Sequence, residues 1–382
     1  MTDPVALTAD LVRCPSVTPA EGGAITHLEA VLNAAGFACY RISRGGIENL
    51  YARYGQGRPV FGFNGHTDVV PVGDPADWSA DPFGAVVREG VMIGRGSVDM
   101  KSGVAAFAAA AIEVAATLDP DQGSIVLMIT GDEEGVAEDG TMAILDWMDD
   151  EDERVDFCLV GEPTSLEVLG DQVKIGRRGS MTGLLTVTGT QGHTAYPQRA
   201  ENPLPALARI CARLAATPLD EGSAHFEPST LQLTTIDVGN PASNVIPRLG
   251  RARCNIRFND LHTPDGIEAW ADRIVAEEIA GTGLEAHFEW GVSGVAFLTE
   301  PHGPVESVIG AIEAATGARP ALSTGGGTSD ARFIKDHCPV VEFGLVGRGM
   351  HAVDEQVPIR DVHALAAIYA EILRRYFGRP PE

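Results

Sequence analysis

Apolar residues recur at helical spacing through Ala24–Ala35, and the pattern stops at Gly36. Val60–Phe63 is a short apolar run that meets Gly65-His66. Ser102–Leu118 is alanine-rich and reads as a buried helix, because it is too short for a membrane span and Glu113 interrupts it. Ile125–Thr130 is a strongly apolar strand running into Gly131-Asp132. Thr141–Met148 is helical, and Phe157–Val160 is a further strand ending at Gly161-Glu162. Strands alternating with helices predict an α/β domain with a mostly parallel sheet and helices on both faces. Such sheets bind ligands just past the carboxyl ends of their strands, where this chain clusters its polar residues.

The texture changes near Gly179. Met181–Gly189 is rich in Thr, Leu and Val and reads as a strand. Leu231–Val238 and Arg251–Phe258 alternate like strands, and His287–Gly291 suggests one more. Pro203–Ala216 and Ile267–Ile279 are helical. After Gly294 the α/β texture resumes, with a helix around Val305–Thr316, a strand at Val340–Phe343 and a final helix at Val362–Tyr376. The expected organisation is a discontinuous larger domain, residues 1–179 and 294–382, carrying an inserted small α+β domain at 180–293.

Composition narrows the function. Of 382 residues, 44% are hydrophobic and 21% charged, enough for a core and unlike a disordered chain. Acidic residues outnumber basic ones 53 to 28, a net charge of −25. Neither nucleic acid nor an anionic membrane is an expected partner of so acidic a chain. An anionic small molecule would need a local basic pocket. Six cysteines without a C-x-x-C pair read as reduced thiols in the cytoplasm. The start, MTDPVALTADLVRCPSVTP, lacks a basic and then apolar leader, so no signal peptide is expected.

Five segments carry candidate chemistry: Gly65-His66-Thr67-Asp68, Ser97-Val98-Asp99-Met100-Lys101, Thr130-Gly131-Asp132-Glu133-Glu134, Gly161-Glu162-Pro163 and Met350-His351. Imidazole with carboxylate suits Zn²⁺ or a similar divalent ion. The set exceeds one tetrahedral site, and two metals sharing a carboxylate would use it. Each segment alone has a plainer reading. His66-x-Asp68 fits a surface turn, Asp132-Glu133-Glu134 a solvated helix start, Glu162 a turn before proline and His351 a partly buried histidine. Gly94–Gly96 and Gly325–Gly327 lack the spacing of a phosphate-binding loop.

The ordered set G-H-T-D-V-V-P, G-R-G-S-V-D-M-K, T-G-D-E-E-G, G-E-P, G-G-G-T-S-D and a late histidine resembles the di-zinc aminoacylase/carboxypeptidase family of metallopeptidases. The resemblance spans nearly the whole chain. It implies a catalytic domain with an inserted dimerisation or lid domain, and hence a homodimer through residues 180–293. It implies two Zn²⁺ per subunit, with Co²⁺ as a substitute ion. His66 and Glu162 match ligands of the first zinc, Glu134 and His351 ligands of the second, and Asp99 the bridging carboxylate. Asp68 matches the carboxylate that orients His66. Glu133 matches the general base, which takes a proton from a zinc-activated bridging water and returns it to the departing amine. His193 matches the histidine that stabilises the oxyanion in the other subunit's site. The Asp99-Met100 bond is cis in members of the family.

Within the family, the R-R-G-S-x-T-G block, Ser243–Pro247 and Gly327-Thr328-Ser329 resemble the branch that removes succinate from N-succinyl-L,L-2,6-diaminopimelate in lysine and diaminopimelate biosynthesis. That makes Arg177, Ser180, Tyr196, Asn244, Arg257, Gly327, Thr328 and Arg332 candidate substrate contacts. Arginine forks suit the extra carboxylate of a succinyl group, although composition alone would call these charges surface partners of acidic neighbours. Three positions depart from the pattern: Ser102 stands where glycine is common, and Ala352 and Asp354 where Lys and Asn are common. A sister deacylase acting on acetylornithine or another N-acyl amino acid therefore stays open. So does a non-catalytic metal- or peptide-binding protein on the same fold, against which retention of Glu133 argues.

Overall fold

The most apolar strands lie side by side at the centre of one sheet in the computed structural model, which describes residues 2–378. The strand order is Ala38–Arg44, Ile47–Tyr54, Ser124–Thr130, Val60–His66, Phe157–Val160, Val340–Glu342, Gln172–Lys174 and Ala321–Ser323. From Ser124–Thr130 to Val340–Glu342 every pairing is parallel. Antiparallel pairing is confined to the flanks, where the Ala38–Tyr54 hairpin and Gln172–Lys174 add on. The central strands are buried along their whole length, which explains their continuous apolar runs.

Alternation along Val60–His66 sorts its side chains between two helical layers. Phe61 and Phe63 stack on Phe107 of the buried Lys101–Ala115 helix, with ring centroids 6.0 and 4.1 Å away. The helix Ile359–Phe377 closes this layer: Tyr369 meets Phe63 and Phe107 edge-on and donates its hydroxyl to the Phe343 carbonyl at 2.7 Å. Asn64 faces the other way and donates to Thr141, the first residue of the Thr141–Asp150 helix. Contacts at the strand ends are close. A Cβ on Gly161 would lie 2.4 Å from the Phe63 ring and 2.7 Å from Met100 Cε, and one on Gly103 would lie 2.7 Å from the Gly161 carbonyl oxygen. Glycine lets the backbone that precedes Glu162 lie against the helix that follows Asp99.

The described chain divides into two compact units. The first takes residues up to 175, 299–323 and from 329 onward, and contains the large sheet. The second takes residues 176–298 and 324–328. Its four-stranded antiparallel sheet runs Thr230–Asp237, Leu249–Phe258, Gly179–Thr188 and Glu285–Gly294. The helices Leu204–Ala216 and Pro264–Ile279 pack over a core of Leu185, Val187, Leu207, Ile210, Leu214 and Ile274. The five residues 324–328 belong to it, and bonds between them and the rest of the unit include Thr324 donating to the His225 carbonyl at 2.6 Å and Arg177 donating to the Gly327 carbonyl at 2.7 Å. Among the described residues no helix is long and apolar enough to cross a membrane.

Phe107 is the shared partner of both strand phenylalanines. Phe107→Ala should destabilise the first unit by about 3–5 kcal/mol, measurable as a lowered denaturation midpoint in urea.

Candidate active site

Each central parallel strand delivers its chemistry where it ends. Val60–His66 ends on His66, with Asp68 two residues on. Ser124–Thr130 leads through Gly131 and Asp132 to Glu133 and Glu134. Phe157–Val160 leads through Gly161 to Glu162, and Asp99 stands two residues before the Lys101–Ala115 helix. The Asp99-Met100 bond is cis. His351 lies on the loop after Val340–Glu342 with φ +63°.

These side chains converge. The buried His66 ring places Nδ1 2.9 Å from the Asp68 carbonyl oxygen and 3.5 Å from Asp68 Oδ1. Its Nε2 faces Asp99 Oδ1 at 3.2 Å and Glu162 Oε1 at 3.9 Å. The other oxygen of Asp99, Oδ2, lies 3.3 Å from His351 Nε2, which is also 2.7 Å from Glu134 Oε1. One carboxylate is thus shared between two imidazoles, one oxygen to each. Asp68 is a second hub, accepting from the Glu133 and Glu134 amides at 3.3 and 3.0 Å and from the Thr18 hydroxyl at 2.6 Å. A cavity of about 450 Å³, lined in part by Thr18, Ile47, Val69 and Val136, opens beside Glu134.

Crowding reshapes the protonation of every member. Burial pushes Glu133 up to about 8, with Asp330, Glu134 and Asp99 adding to it against His66. Burial raises Glu162 well above the carboxylate range, and Asp99 and Glu133 reinforce it. Burial opposes ionisation of Asp99 as well, but hydrogen bonds from His351 and His66 hold it far below its ordinary value. Burial disfavours a charged His66, yet Asp68 and Asp99 carry its pKa well above normal. The Asp99 hydrogen bond lifts His351 to about 9.

Three overlapping triads have ligand atoms within 4.8 Å of one another: His66/Asp99/Glu162, Asp99/Glu134/His351 and His66/Glu133/Glu134. Carboxylate oxygens and imidazole nitrogens at this spacing suit a divalent cation. The first two triads together use five residues, share only Asp99, and leave Glu133 over. Asp99 is the one residue common to those two triads, with one oxygen toward each histidine.

The remaining sequence candidates are not members of these triads. Arg332 is in the first unit, its Nε buried without a partner and its guanidinium over the Phe333 ring. The second unit holds two groups. His193, Tyr196 and Asn244 are exposed and adjacent: His193 pairs with Val245 in a two-residue strand, the Asn244 carbonyl accepts from the Thr194 amide, and the His193 and Tyr196 rings lie 5.7 Å apart. Ser180 and Arg257 are cross-strand neighbours. Arg178 precedes Gly179, the cross-strand partner of Phe258, and burial with the charge of Arg178 lowers the Arg257 pKa. Arg177 donates to the Gly327 carbonyl, next to Thr328. Ser102 occupies the first turn of the Lys101–Ala115 helix, and its hydroxyl donates to the Ser97 carbonyl.

Sequence reasoning noted Glu355 beside His351 and quoted the motifs that contain Arg95 and Asp330, but it assigned no role to the groups that hold this cluster from behind. Thr18 on Asp68, Asp330 on Thr141 (2.7 Å) and the buried Arg95–Glu355 pair (2.6 Å) are the main ones. The G-R-G-S block contains Arg95 and the segment after His351 contains Glu355, so position beside a candidate ligand was the available signal.

Residues 62–375 match the sequence pattern of Peptidase family M20/M25/M40. The chain belongs to this family. Members of the M20 family are metal-dependent. Among similar proteins is the succinyl-diaminopimelate desuccinylase of Dinoroseobacter shibae, 60% identical over 99% of this chain and 100% of that one. The succinyl-diaminopimelate desuccinylase of Rhodospirillum centenum is 57% identical over 98% of each chain. In fold the M20 chain resembles aminopeptidase PepT from Bacillus cereus, with TM-score 0.81 and 18% identity over 99% of this chain and 98% of that one. It also resembles YXEP of Bacillus subtilis, described as a dinuclear metal-binding peptidase, with TM-score 0.73 and 14% identity over 97% and 96% of the two chains.

The Asp68 carboxylate lies 3.5 Å from His66 Nδ1 and accepts from two glutamate amides at once. Asp68→Ala should weaken metal binding about 10- to 100-fold, read by calorimetric titration of Zn²⁺ into chelator-treated protein.

Proposed function

We propose that this chain is a di-zinc amide hydrolase that removes succinate from N-succinyl-L,L-2,6-diaminopimelate, yielding L,L-diaminopimelate in the cytoplasm. The observation that carries the reading is the Asp99 carboxylate divided between His66 and His351, with Glu133 left over beside it. His66, Asp99 and Glu162 would hold one Zn²⁺, and Asp99, Glu134 and His351 the other, with Co²⁺ able to replace either. The two ions supply Lewis acidity toward the amide carbonyl and toward water.

The chain's own groups do the rest. Glu133 takes a proton from the attacking water and delivers it to the amide nitrogen as that nitrogen leaves. Burial raises the proton affinity of this carboxylate, and two adjacent cations would act the other way, toward the ionised form that a base needs. Asp68, through the Glu133 and Glu134 amides, keeps the base beside the ligand without spending either side chain. The substrate assignment is supported by relatives at 57–60% identity that bear the desuccinylase name. It is also supported by the paired Arg178 and Arg257 of the second unit, whose mutual repulsion an anionic succinyl carboxylate would relieve. Ser180, Tyr196, Asn244, Gly327, Thr328 and Arg332 are proposed further contacts, with Arg177 supporting Gly327. His193 is proposed to stabilise the oxyanion of the other subunit's reaction. A homodimer through the second unit fits the Thr230–Asp237 strand, which ends that unit's sheet with Ile236 exposed.

Chelated protein should cleave N-succinyl-L,L-diaminopimelate only after Zn²⁺ is restored, and in preference to N-acetylornithine. Glu133→Gln should retain both metals and lose about 10²- to 10⁴-fold in kcat. Preference for the acetyl compound would overturn the substrate assignment alone, and absence of zinc-dependent cleavage would overturn the hydrolase. Sedimentation should report a dimer, and a folded monomeric variant should be inactive if His193 serves the other subunit.

A further inference from the structure

Arg95 and Glu355 form an ion pair at 2.6 Å with 2% and 1% exposure, deeper than any ligand candidate except His66. Their remaining hydrogen bonds go to backbone, and that backbone carries the candidate ligands. Glu355 Oε1 accepts from the Val98 and Asp99 amides at 2.8 and 3.1 Å. Arg95 donates to the His351 and Ala352 carbonyls, both at 3.2 Å, and more weakly to the Pro71 carbonyl at 3.4 Å. The Arg95 guanidinium lies 5.2 Å from the centroid of the Trp78 ring. The Gly94 amide donates to the Glu355 carbonyl at 2.9 Å, which ties the residue before Arg95 to the backbone of Glu355.

One salt bridge therefore spans the loop that presents Asp99 and the loop that presents His351. Those residues lie 252 positions apart in the chain (351 − 99); the strand pairing of Gln356–Pro358 with Val91–Ile93 brings their segments together but stops at Ile93 and Gln356, short of Asp99 and His351. His351 is half exposed and takes a left-handed φ of +63°, so its own packing does little to fix it. We infer that Arg95 and Glu355 are positioning residues that set the distance between Asp99 and His351, and so build the second of the two metal sites. The inference rests on the two-metal reading above. Glu162 and His66 are held by the strands that carry them, so the first site depends on the pair only through Asp99.

The consequence is asymmetric. Glu355→Gln keeps an oxygen for the two amides but loses the charge facing Arg95. Arg95→Lys keeps the charge but loses the planar fork that reaches several acceptors. Arg53→Lys alters the Arg53–Glu153 pair elsewhere in the same unit and serves as the control. Zn²⁺ would be titrated calorimetrically into each chelator-treated protein, with Co²⁺ visible absorption as a second readout and circular dichroism to establish folding. Wild type and control should take up two equivalents. The two variants should bind one equivalent with near wild-type affinity and the other about 10- to 100-fold more weakly, with a changed Co²⁺ spectrum for that equivalent alone. Should Arg95→Lys fail to fold, Glu355→Gln decides. Two unchanged equivalents in the folded variants would overturn the inference, as would equal weakening of both or the same loss in the control. A wild type that takes up a single equivalent would instead overturn the two-metal reading, and the inference with it.

Discussion

Five carboxylates, those of Asp68, Asp99, Glu133, Glu134 and Glu162, crowd the ends of three parallel strands and the start of one helix, and only two imidazoles stand among them. Like charges about 4 Å apart repel by roughly 4 kcal/mol each at the effective dielectric of a protein surface. Such a cluster cannot simply ionise. Its members respond as the geometry demands: Glu133 and Glu162 shift toward the neutral form, while Asp99, flanked by both histidines, stays anionic. A divalent cation among these groups would offset their mutual repulsion. Lys101 is buried with its amino group on the Cys14 carbonyl at 2.8 Å, and burial lowers its pKa to about 8.

Holding repelling groups together requires a rigid support. The parallel sheet provides it because three strands end at one edge and point their next residues into the same space. The Phe61, Phe63 and Phe107 stack fixes the helix after Asp99 against the sheet. Gly161 and Gly103 remove the side chains that would otherwise push the Glu162 backbone away from that helix. Packing of apolar groups and placement of the ligands are thus the same event.

Much of this was legible in the sequence. Phe157–Val160 falls where the apolar run predicts it, and the ends of the Thr141 helix and the Ser124–Thr130 strand differ by a residue or two. The central strands are readable because burial on both faces leaves them uniformly apolar. The Ala38–Tyr54 hairpin was missed, since its outer strand is partly exposed and carries Tyr40, Arg41 and Arg44 among its residues. The ligand candidates announced themselves by residue type beside strand ends. Arg95 and Glu355 did not, because their role is to bond backbone, and a backbone partner leaves no mark in side-chain pattern. The Arg177 bond to Gly327 was equally hidden, as residues 324–328 look in sequence like part of the larger unit.

That last feature bears on how such a chain can be inherited. The second unit is not a single cassette: it takes in 176–298 and also the short glycine-rich stretch 324–328. A deletion of the long segment would leave Thr324 without the His225 carbonyl and Gly327 without its guanidinium donor. Loss or exchange of the small unit during descent would thus have to be matched by rewriting five residues downstream, and a swap that copied only the long segment would carry half of a handshake.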